Sequence, residues 1–324
     1  VGANIPAVPV EANWPLFIIY TSGSTGKPKG VVHTHGGWLA GVTHTMRTVF
    51  NADQDDCLYV IGDPGWITGQ SYLIAAPLAF GMSTVIAEGS PLFPHAGRFA
   101  SIIERNKVTL FKAGSTFLKA VMTDPASTQE MSRYDMSTLK VGTFCAEPVS
   151  PAVQKFAMDN ICAHYINSYW ATEHGGIVFS RRLGDGSAGE PAAAHARAWP
   201  LPWVDAGIMI RDGSTGHWRA LAEGERGGEV VIRRPYPYLA LTVWKSEHFG
   251  SPNWEGDRSR WASYWQPGVG YVQGDLASAH ADGSYSFHGR SDEVINVGGH
   301  RVGTAEIEWA LLLDRGQGRS SSSP

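Results

Sequence analysis

The stretch with the clearest chemical capacity is residues 20–30, which reads YTSGSTGKPKG. It joins hydroxyl groups, glycines and two cations, Lys27 and Lys29, in one short segment. Glycines let a backbone approach an anion closely, and amide, hydroxyl and ammonium groups can then bind the anion's oxygens. The stretch therefore predicts a phosphate-binding loop, and its candidate contacts are Thr21, Ser22, Gly23, Ser24, Thr25, Gly26 and Lys27.

This loop differs from the P-loop of kinases and GTPases, whose pattern is G-x-x-x-x-G-K-[ST]. The position five before Gly26 is Thr21 instead of glycine, and Lys27 is followed by Pro28 instead of Ser or Thr. Pro28 also lacks an amide hydrogen, so the loop is not expected to run directly into a helix. These differences argue against a nucleotide kinase or a GTPase.

Residues 20–30 resemble the signature of the adenylate-forming superfamily, which contains acyl-CoA synthetases, luciferases and the adenylation domains of peptide synthetases. In that superfamily the loop holds the β- and γ-phosphates of ATP and then the departing pyrophosphate. Further stretches similar to its motifs follow in the same order, at 145–148, 167–175, 274–275, 288–293 and 298–308. The resemblance covers most of residues 15–313.

The resemblance implies a binding site for the adenine base. Tyr169 offers an aromatic face on which the base can stack, and Asn167 can bind its amino group. The residues implied around the base are Ala146, Glu147, Pro148, Asn167, Ser168, Tyr169 and Trp170. Ala146 is a mild departure, because relatives that use small acids usually have glycine there.

The resemblance also implies groups that stabilise charge on the phosphates. Thr172 would contact the α-phosphate, and Glu173 offers a hard oxygen ligand to a Mg²⁺ ion that bridges phosphates. Arg301 would approach the α-phosphate during adenylation. The implied catalytic residues are Lys27, Thr172, Glu173, Arg290 and Arg301.

Two carboxylates complete the implied nucleotide site and its hinge. Asp275 ends a predicted strand, where one carboxylate can accept both ribose hydroxyls, and Arg290 would bind the ribose or a phosphate. Asp292 would absorb the rotation that moves a small C-terminal domain between two half-reactions.

The acyl pocket is expected to be short. Residues 65–72 and 300–308 resemble acetyl- and propionyl-CoA synthetases, in which a tryptophan at the place of Trp170 leaves room for only a few carbons. Ile67, Thr68 and Cys145 would line the rest of the pocket. Because one methylene changes binding by only ~1–3 kcal/mol, acetate, propionate, 3-hydroxypropionate and acrylate all stay open, with a preference for the last three.

The implied reaction is the activation of a short-chain carboxylic acid with MgATP to acyl-AMP and pyrophosphate, followed by transfer to coenzyme A. Two alternatives stay open. One is a catalytically silent nucleotide-binding fragment, and the other is an adenylation domain that loads a carrier protein. ATP, Mg²⁺ and CoA are therefore the expected ligands, together with a small carboxylic acid.

Composition bears on the partners of the chain and on its cellular compartment. The 324 residues carry a net charge of −4, which gives no indication of a nucleic-acid or anionic-membrane partner. The three cysteines lack the spacing of a disulfide framework, which favours a reducing, cytoplasmic compartment. No apolar run approaches the ~18 residues that a membrane span needs. A place in a larger multifunctional CoA enzyme and a homo-oligomer both stay open.

The elements that must hold these residues alternate between strands and helices, which predicts an α/β fold with largely parallel sheets and flanking helices. Strands are expected at 16–20, Cys57–Ile61, 83–87, 108–112, 138–144 and 163–168. Helices are expected at His35–Phe50, 97–105, Ser115–Thr123, 151–158 and 304–313. From Trp203 onward, strands at Ala206–Arg211, 228–233, 270–274 and 284–288, with Asp-Gly turns, predict an antiparallel β-rich part.

These elements suggest three regions. Residues 1–202 would form the ATP- and acyl-binding part of the large domain, 203–291 the β-rich subdomain, and 292–324 the start of a small C-terminal domain. By the resemblance, the chain is expected to be the central piece of a longer protein, without the N-terminal portion and most of the C-terminal domain. The C-terminal lysine that supports adenylation in the superfamily is then expected outside this chain.

Overall fold

A computed structural model describes residues 6–21, 28–145, 147–184, 193–213, 215–251, 254–291, 295–297 and 300–302. The strands, in chain order, are β1 (Pro15–Thr21), β2 (Lys29–Thr34), β3 (Cys57–Ile61), β4 (Ser83–Val85), β5 (Leu110–Gly114), β6 (Val141–Cys145), β7 (Tyr165–Ile166), β8 (Ser168–Tyr169), β9 (Phe179–Ser180), β10 (Ala206–Arg211), β11 (Trp218–Ala220), β12 (Arg226–Ile232), β13 (Thr242–Val243), β14 (Trp265–Gln266), β15 (Gly270–Ala279), β16 (Tyr285–Arg290), β17 (Ile295–Val297) and β18 (His300–Val302). The helices are α1 (His35–Phe50), a π-helix (Gly69–Ala75), α2 (Ala76–Phe80), α3 (Arg98–Asn106), α4 (Ser115–Thr123), α5 (Pro125–Met131), α6 (Pro151–Asn160) and α7 (Arg258–Ala262).

A parallel sheet with strand order β4-β3-β5-β6-β7 lies between two hydrophobic clusters. Successive strand residues point to opposite faces, and accordingly Leu110 of β5 packs in one cluster and Phe111 in the other. Helices α3, α4 and α6 contribute to the cluster of Phe111, whereas α1 and the π-helix contribute to that of Leu110. Burial on both faces explains why these strands read as nearly continuous apolar runs.

An antiparallel sheet follows in the C-terminal half, with strand order β11-β10-β12-β15-β14 and β16 paired to β15. Two Asp-Gly turns lie in the connections that were expected to contain them, at 212–213 between β10 and β11 and at 282–283 between β15 and β16. The prediction of an α/β fold with an antiparallel β-rich part is therefore confirmed.

The strand before the phosphate loop belongs to neither of these sheets. β1 pairs antiparallel with β2, and β2 pairs antiparallel with β13. The expectation of largely parallel sheets thus holds for β3 to β7 and not for β1. Strand β2 was missed in the sequence because KGVVHT begins with lysine and glycine, although all six residues are buried.

Several element boundaries also differ from expectation, including those of two predicted strands next to the site. The strand expected at 163–168 is two short strands, β7 and β8, which belong to different sheets. The strand expected at 138–144 begins only at Val141, because the amide of Leu139 closes a turn onto the carbonyl of Met136. The helix expected at 304–313 lies outside the described residues.

Across the part of the chain that the structure describes, no helix is long and apolar enough to cross a membrane.

Candidate active site

The predicted site residues that can be located meet in one cavity of about 810 Å³. They come from β1, the start of the π-helix, the segments after β6 and β7, and the β15–β16 hairpin. Those lining it are Thr21, Ile67, Thr68, Glu147, Pro148, Asn167, Ser168, Tyr169, Trp170, Thr172, Glu173, Asp275 and Arg290. A wider, open groove of about 950 Å³ beside α1 contains none of the predicted residues that the structure describes.

The remaining predicted residues cannot be compared in the same way. Residues 22–27, Ala146 and Asp292 lie outside the described residues. Arg301 lies on β18 and Cys145 at the end of β6, but their side chains fall outside the described part of the structure.

The predicted phosphate loop lies in sequence between two strands of a hairpin whose ends lie at the cavity. Thr21 of β1 pairs with Lys29 of β2, and both residues line the cavity. Arg260 donates a hydrogen bond to the carbonyl of Pro28 at 3.2 Å. Glycine is required at Gly30, because a Cβ there would lie 2.8 Å from a methyl carbon of Ile18. The hairpin therefore carries the loop to the cavity without a following helix, as Pro28 predicted.

Lys29 is directed away from solvent toward Glu173. Its Nζ lies 2.5 Å from Oε1 of Glu173, and each side chain is only 7% exposed. The same ammonium lies 3.9 Å from the ring centroid of Tyr264. From the sequence, Lys29 was interpreted as a second cation of the predicted phosphate loop. In the structure it forms an ion pair with Glu173 instead.

This ion pair controls the charge of Glu173. Burial alone would raise the pKa of the carboxyl, but the charge and hydrogen bond of Lys29 bring the pKa of Glu173 below its ordinary value. The carboxylate is therefore ionised at neutral pH although it is buried.

Two buried histidines, missed in the sequence, hold the turn that carries Thr172 and Glu173. His33 of β2 donates from Nε2 to the carbonyl of Thr172 at 2.9 Å. His174 accepts a hydrogen bond on Nδ1 from the amide of Ala171 at 3.1 Å. Burial lowers the pKa of both imidazoles to about 4, so both are neutral at pH 7.

The β15–β16 hairpin explains the spacing of Asp275 and Arg290, because the two residues are directly paired across the strands. Arg290 donates to Oδ1 of Asp275 at 3.3 Å and to the carbonyl of Gln273 at 2.9 Å. The hydroxyl of Tyr169 donates to Oδ2 of Asp275 at 2.6 Å. Burial raises the pKa of Asp275 to about 6, although the hydrogen bonds that it accepts from Tyr169 and Arg290 lower it.

Tyr169 presents only one ring face for further stacking. Its other face is stacked on Phe287 of β16, with centroids 4.0 Å apart and an interplanar angle of 6°. Phe287 also lines the cavity and was not singled out in the sequence. No local pattern identifies it, since it alternates on a strand like any core residue.

Glu147 and Asn167 use their side chains to hold the protein together. Oε2 of Glu147 accepts from the amide of Thr116 at 2.8 Å, from its hydroxyl at 2.6 Å and from the hydroxyl of Ser115 at 3.1 Å. These contacts place a negative charge at the N-terminus of α4, where it is favourable. The side-chain amide of Asn167 donates to the carbonyl of Ala196 at 2.9 Å.

The predicted acyl-pocket residues that the structure describes share the cavity with the nucleotide candidates. Trp170 is 7% exposed and meets the ring of Tyr72 edge to face, with centroids 5.2 Å apart. Ile67 and Thr68 precede the π-helix and are also buried. The hydroxyl of Tyr72 accepts from the amide of Ile177 at 3.1 Å, which fixes the ring against which Trp170 packs.

Comparison with known proteins gives one family match. The sequence profile of the family described as AMP-binding enzyme matches residues 3–242. The chain is 35% identical over 319 residues to the acetyl-coenzyme A synthetase of Cupriavidus metallidurans, covering 95% of this chain and 45% of that protein. It is 36% identical over 316 residues to the acetyl-coenzyme A synthetase 2 of Candida albicans, covering 96% of this chain and 44% of that protein. The chain thus spans a little under half the length of these curated relatives.

A solved structure shares the fold. The anthranilate CoA ligase AuaEII, in complex with anthranoyl-AMP, matches with a TM-score of 0.75 at 22% sequence identity, covering 95% of this chain and 54% of the ligase.

Proposed function

Because the chain belongs to the AMP-binding enzyme family, we propose that it activates a short-chain carboxylic acid with ATP, giving acyl-AMP and pyrophosphate. Coenzyme A then takes up the acyl group and AMP is released. The observation that carries this proposal is the single cavity in which the end of the phosphate-loop hairpin, the turn of Thr172 and Glu173, the Asp275–Arg290 pair and Trp170 all meet.

The first half-reaction needs positioning and charge stabilisation more than proton transfer. A carboxylate oxygen of the acid attacks the α-phosphorus of ATP, and the bond to the pyrophosphate oxygen breaks. The acid is already a nucleophile when ionised, so no general base is required. We assign to Lys27, Thr172, Arg290 and Arg301 the stabilisation of charge that develops on the phosphates.

A magnesium ion fits this site only if it binds together with the phosphates of the nucleotide. Glu173 supplies one hard carboxylate oxygen on the cavity wall, and among the described residues no group of three metal-ligating side chains is present. Mg²⁺ commonly binds one or two carboxylates together with substrate phosphates and waters, which agrees with a single protein ligand. When bound, the ion would neutralise phosphate charge, and Glu173 would hold it.

The nucleoside is proposed to bind at the β15–β16 hairpin. Asp275 would accept the ribose hydroxyls, and Arg290, already bonded to it, would keep that carboxylate ionised. The base would stack on the face of Tyr169 that Phe287 leaves uncovered, beside residues 146–148. Glu147 contributes to the shape of this wall through its bonds to α4, not as a free carboxylate.

The acyl group is proposed to lie against Ile67, Thr68, Cys145 and Trp170. The indole of Trp170 is buried and packed on Tyr72, which keeps it in place as one wall of the pocket. Short acids are therefore favoured, namely acetate, propionate, 3-hydroxypropionate or acrylate.

The second half-reaction is proposed to use a hinge at Asp292, with residues 1–202 and 203–291 as the large domain and 292–324 as the start of the small one. We assign this activity to the cytoplasm, because its substrates and free cysteines belong there. The chain would act as part of a larger multifunctional CoA enzyme or as a homo-oligomer.

Acid-dependent exchange of labelled pyrophosphate into ATP tests the proposal. The chain is incubated with ATP and with acetate, propionate, 3-hydroxypropionate, acrylate or butyrate in turn, and exchange is expected with one or more of the short acids. If no acid supports exchange while ATP still binds, the chain is a silent nucleotide-binding fragment. If exchange occurs but the acyl group passes to a carrier protein and not to CoA, the proposed transfer to CoA is wrong.

A further inference from the structure

A lysine lies inside the protein, at the centre of the parallel sheet and behind the cavity wall. Lys112 of β5 is only 1% exposed. Its Nζ donates to the carbonyl of Phe144 and to the hydroxyl of Ser168, each at 3.2 Å. Burying an ammonium is unfavourable unless its hydrogens are bonded and its charge is compensated, so a sheet built only for stability would have an apolar residue here.

The ammonium also lies among three aromatic rings. Its distances to the ring centroids are 4.9 Å for Tyr72, 5.7 Å for Trp170 and 5.9 Å for Phe50. A cation within about 6 Å of a ring face is attracted by the negative face of the ring. Lys112 therefore holds Trp170 from the protein interior, while the edge-to-face contact with Tyr72 holds it from a second direction.

The same ammonium is connected to the cavity through Ser168. The hydroxyl of Ser168 donates to the carbonyl of Phe144 at 2.6 Å and lies 2.9 Å from that of Thr143. With Lys112 as a further donor, the Ser168 hydroxyl is fully engaged inside the protein. Ser168 and Trp170 line the cavity, so Lys112 orders two residues of its wall at once.

We propose that Lys112 positions Trp170 and Ser168 from behind and thereby sets the depth of the acyl pocket. It is a positioning residue that determines chain-length specificity without touching the substrate. This inference rests on the proposed function, in which Trp170 closes that pocket. Without the ammonium, the indole loses its attraction on the interior side and is no longer held in the position that closes the pocket, so the pocket can accept a longer acyl chain.

The test measures binding and does not need turnover. The probes are adenosine 5′-sulfamates that carry a propanoyl or a hexanoyl group, which mimic acyl-AMP, with AMP as a probe of the nucleotide site alone. The wild-type chain is expected to bind the propanoyl probe more tightly than the hexanoyl probe.

Lys112→Met keeps an unbranched chain of similar length and removes the charge. It should reduce the preference for the shorter probe by roughly tenfold and leave AMP affinity within about twofold.

Three further variants distinguish a positioning role of Lys112 from a general loss of structure. Lys155→Met removes a lysine on the surface of α6, 69% exposed, and should leave the preference unchanged. Lys112→Gln keeps an N–H donor for Ser168 without the charge, should give a smaller shift, and carries the test if Lys112→Met does not fold. In the Trp170→Gly background, Lys112→Met should have no further effect on the preference, because Lys112 acts through the indole.

The possible results are distinct. An unchanged preference in both Lys112 variants, or an undiminished shift when Trp170 is absent, overturns this inference alone. Failure of the wild-type chain to bind either acyl probe overturns the proposed function, and the inference falls with it.

Discussion

Lys29 and Glu173 form an ion pair inside the protein, with Nζ and Oε1 2.5 Å apart. Lys29 is the first residue of β2, at the end of the predicted phosphate-loop stretch, and Glu173 ends the stretch that carries Tyr169, Trp170 and Thr172. The pair therefore ties the return strand of the loop to the turn on which the α-phosphate contacts are proposed. It also keeps the carboxylate ionised in a buried position.

Removal of Lys29 should destabilise the chain strongly. Lys29→Met leaves the Glu173 carboxylate buried without its cation, and such a change costs about 3–5 kcal/mol. Denaturation by urea, followed by circular dichroism, measures the free energy of unfolding. The double variant Lys29→Met with Glu173→Gln should recover part of the loss, because no buried charge is then left. A single variant within 1 kcal/mol of wild type, the usual range of an exposed pair, would refute the role of the pair.

The stability of the chain should fall as the pH drops from about 6.5 to 4. His33 and His174 have a pKa of about 4 in the folded state against 6.5 for an ordinary histidine, so the unfolded chain binds more protons in this window. Each such proton contributes a slope of up to about 1.4 kcal/mol per pH unit, with stability rising as the pH rises.

Urea denaturation at several pH values between 4.5 and 7.5 measures this slope. His33→Gln, which keeps a donor for the carbonyl of Thr172, should reduce the slope, whereas His217→Gln at an exposed position should not. An equal slope in wild type and His33→Gln would show that His33 is not the titrating group.

Adenosine binding should strengthen as the pH rises through about 6. Asp275 has a folded pKa of about 6, and only its ionised form can accept two ribose hydroxyls. Adenosine is the suitable probe because it carries no phosphate that titrates in this range. Tyr169→Phe keeps the ring but removes a hydrogen bond that lowers the pKa of Asp275, so the midpoint should move to higher pH.

Two controls accompany that titration by calorimetry. Asp275→Asn should bind adenosine more weakly and without the pH dependence, and 2′,3′-dideoxyadenosine should show none with the wild-type chain. A midpoint that stays in place in Tyr169→Phe would contradict the assignment of Asp275 as the titrating group.

Trp170→Gly should admit longer acids. The indole is buried in the cavity wall, and its removal opens space next to Tyr72. In the pyrophosphate exchange assay, the rate with hexanoate relative to propionate should rise by roughly tenfold or more. Trp14→Ala, at a tryptophan that is 43% exposed, is the matched control and should leave the ratio unchanged. An unchanged ratio in Trp170→Gly would refute the acyl-pocket assignment.

The sequence by itself was informative about features that depend on neighbouring residues. The glycines, hydroxyls and lysines of residues 20–30 predict a phosphate loop, which stays a prediction, and Pro28 correctly excluded a helix directly after it. Periodicity was sufficient for the α/β order, with β3, α1 and β10 found at the predicted residues. The order of the motifs indicated the family, which the match over residues 3–242 confirms.

The tertiary structure decided which distant side chains meet. Lys29 read as one more cation of the loop, and only the pairing of β1 with β2 and the burial of that strand directed it to Glu173. Phe287 alternates on its strand like an ordinary core residue, and Lys112 is the last residue of the strand predicted at 108–112, so no local pattern distinguishes either of them. Contacts of this kind depend on strand register and on which face of a sheet is buried. Both are set by long-range packing, whereas a loop motif contains its own chemistry within a few residues.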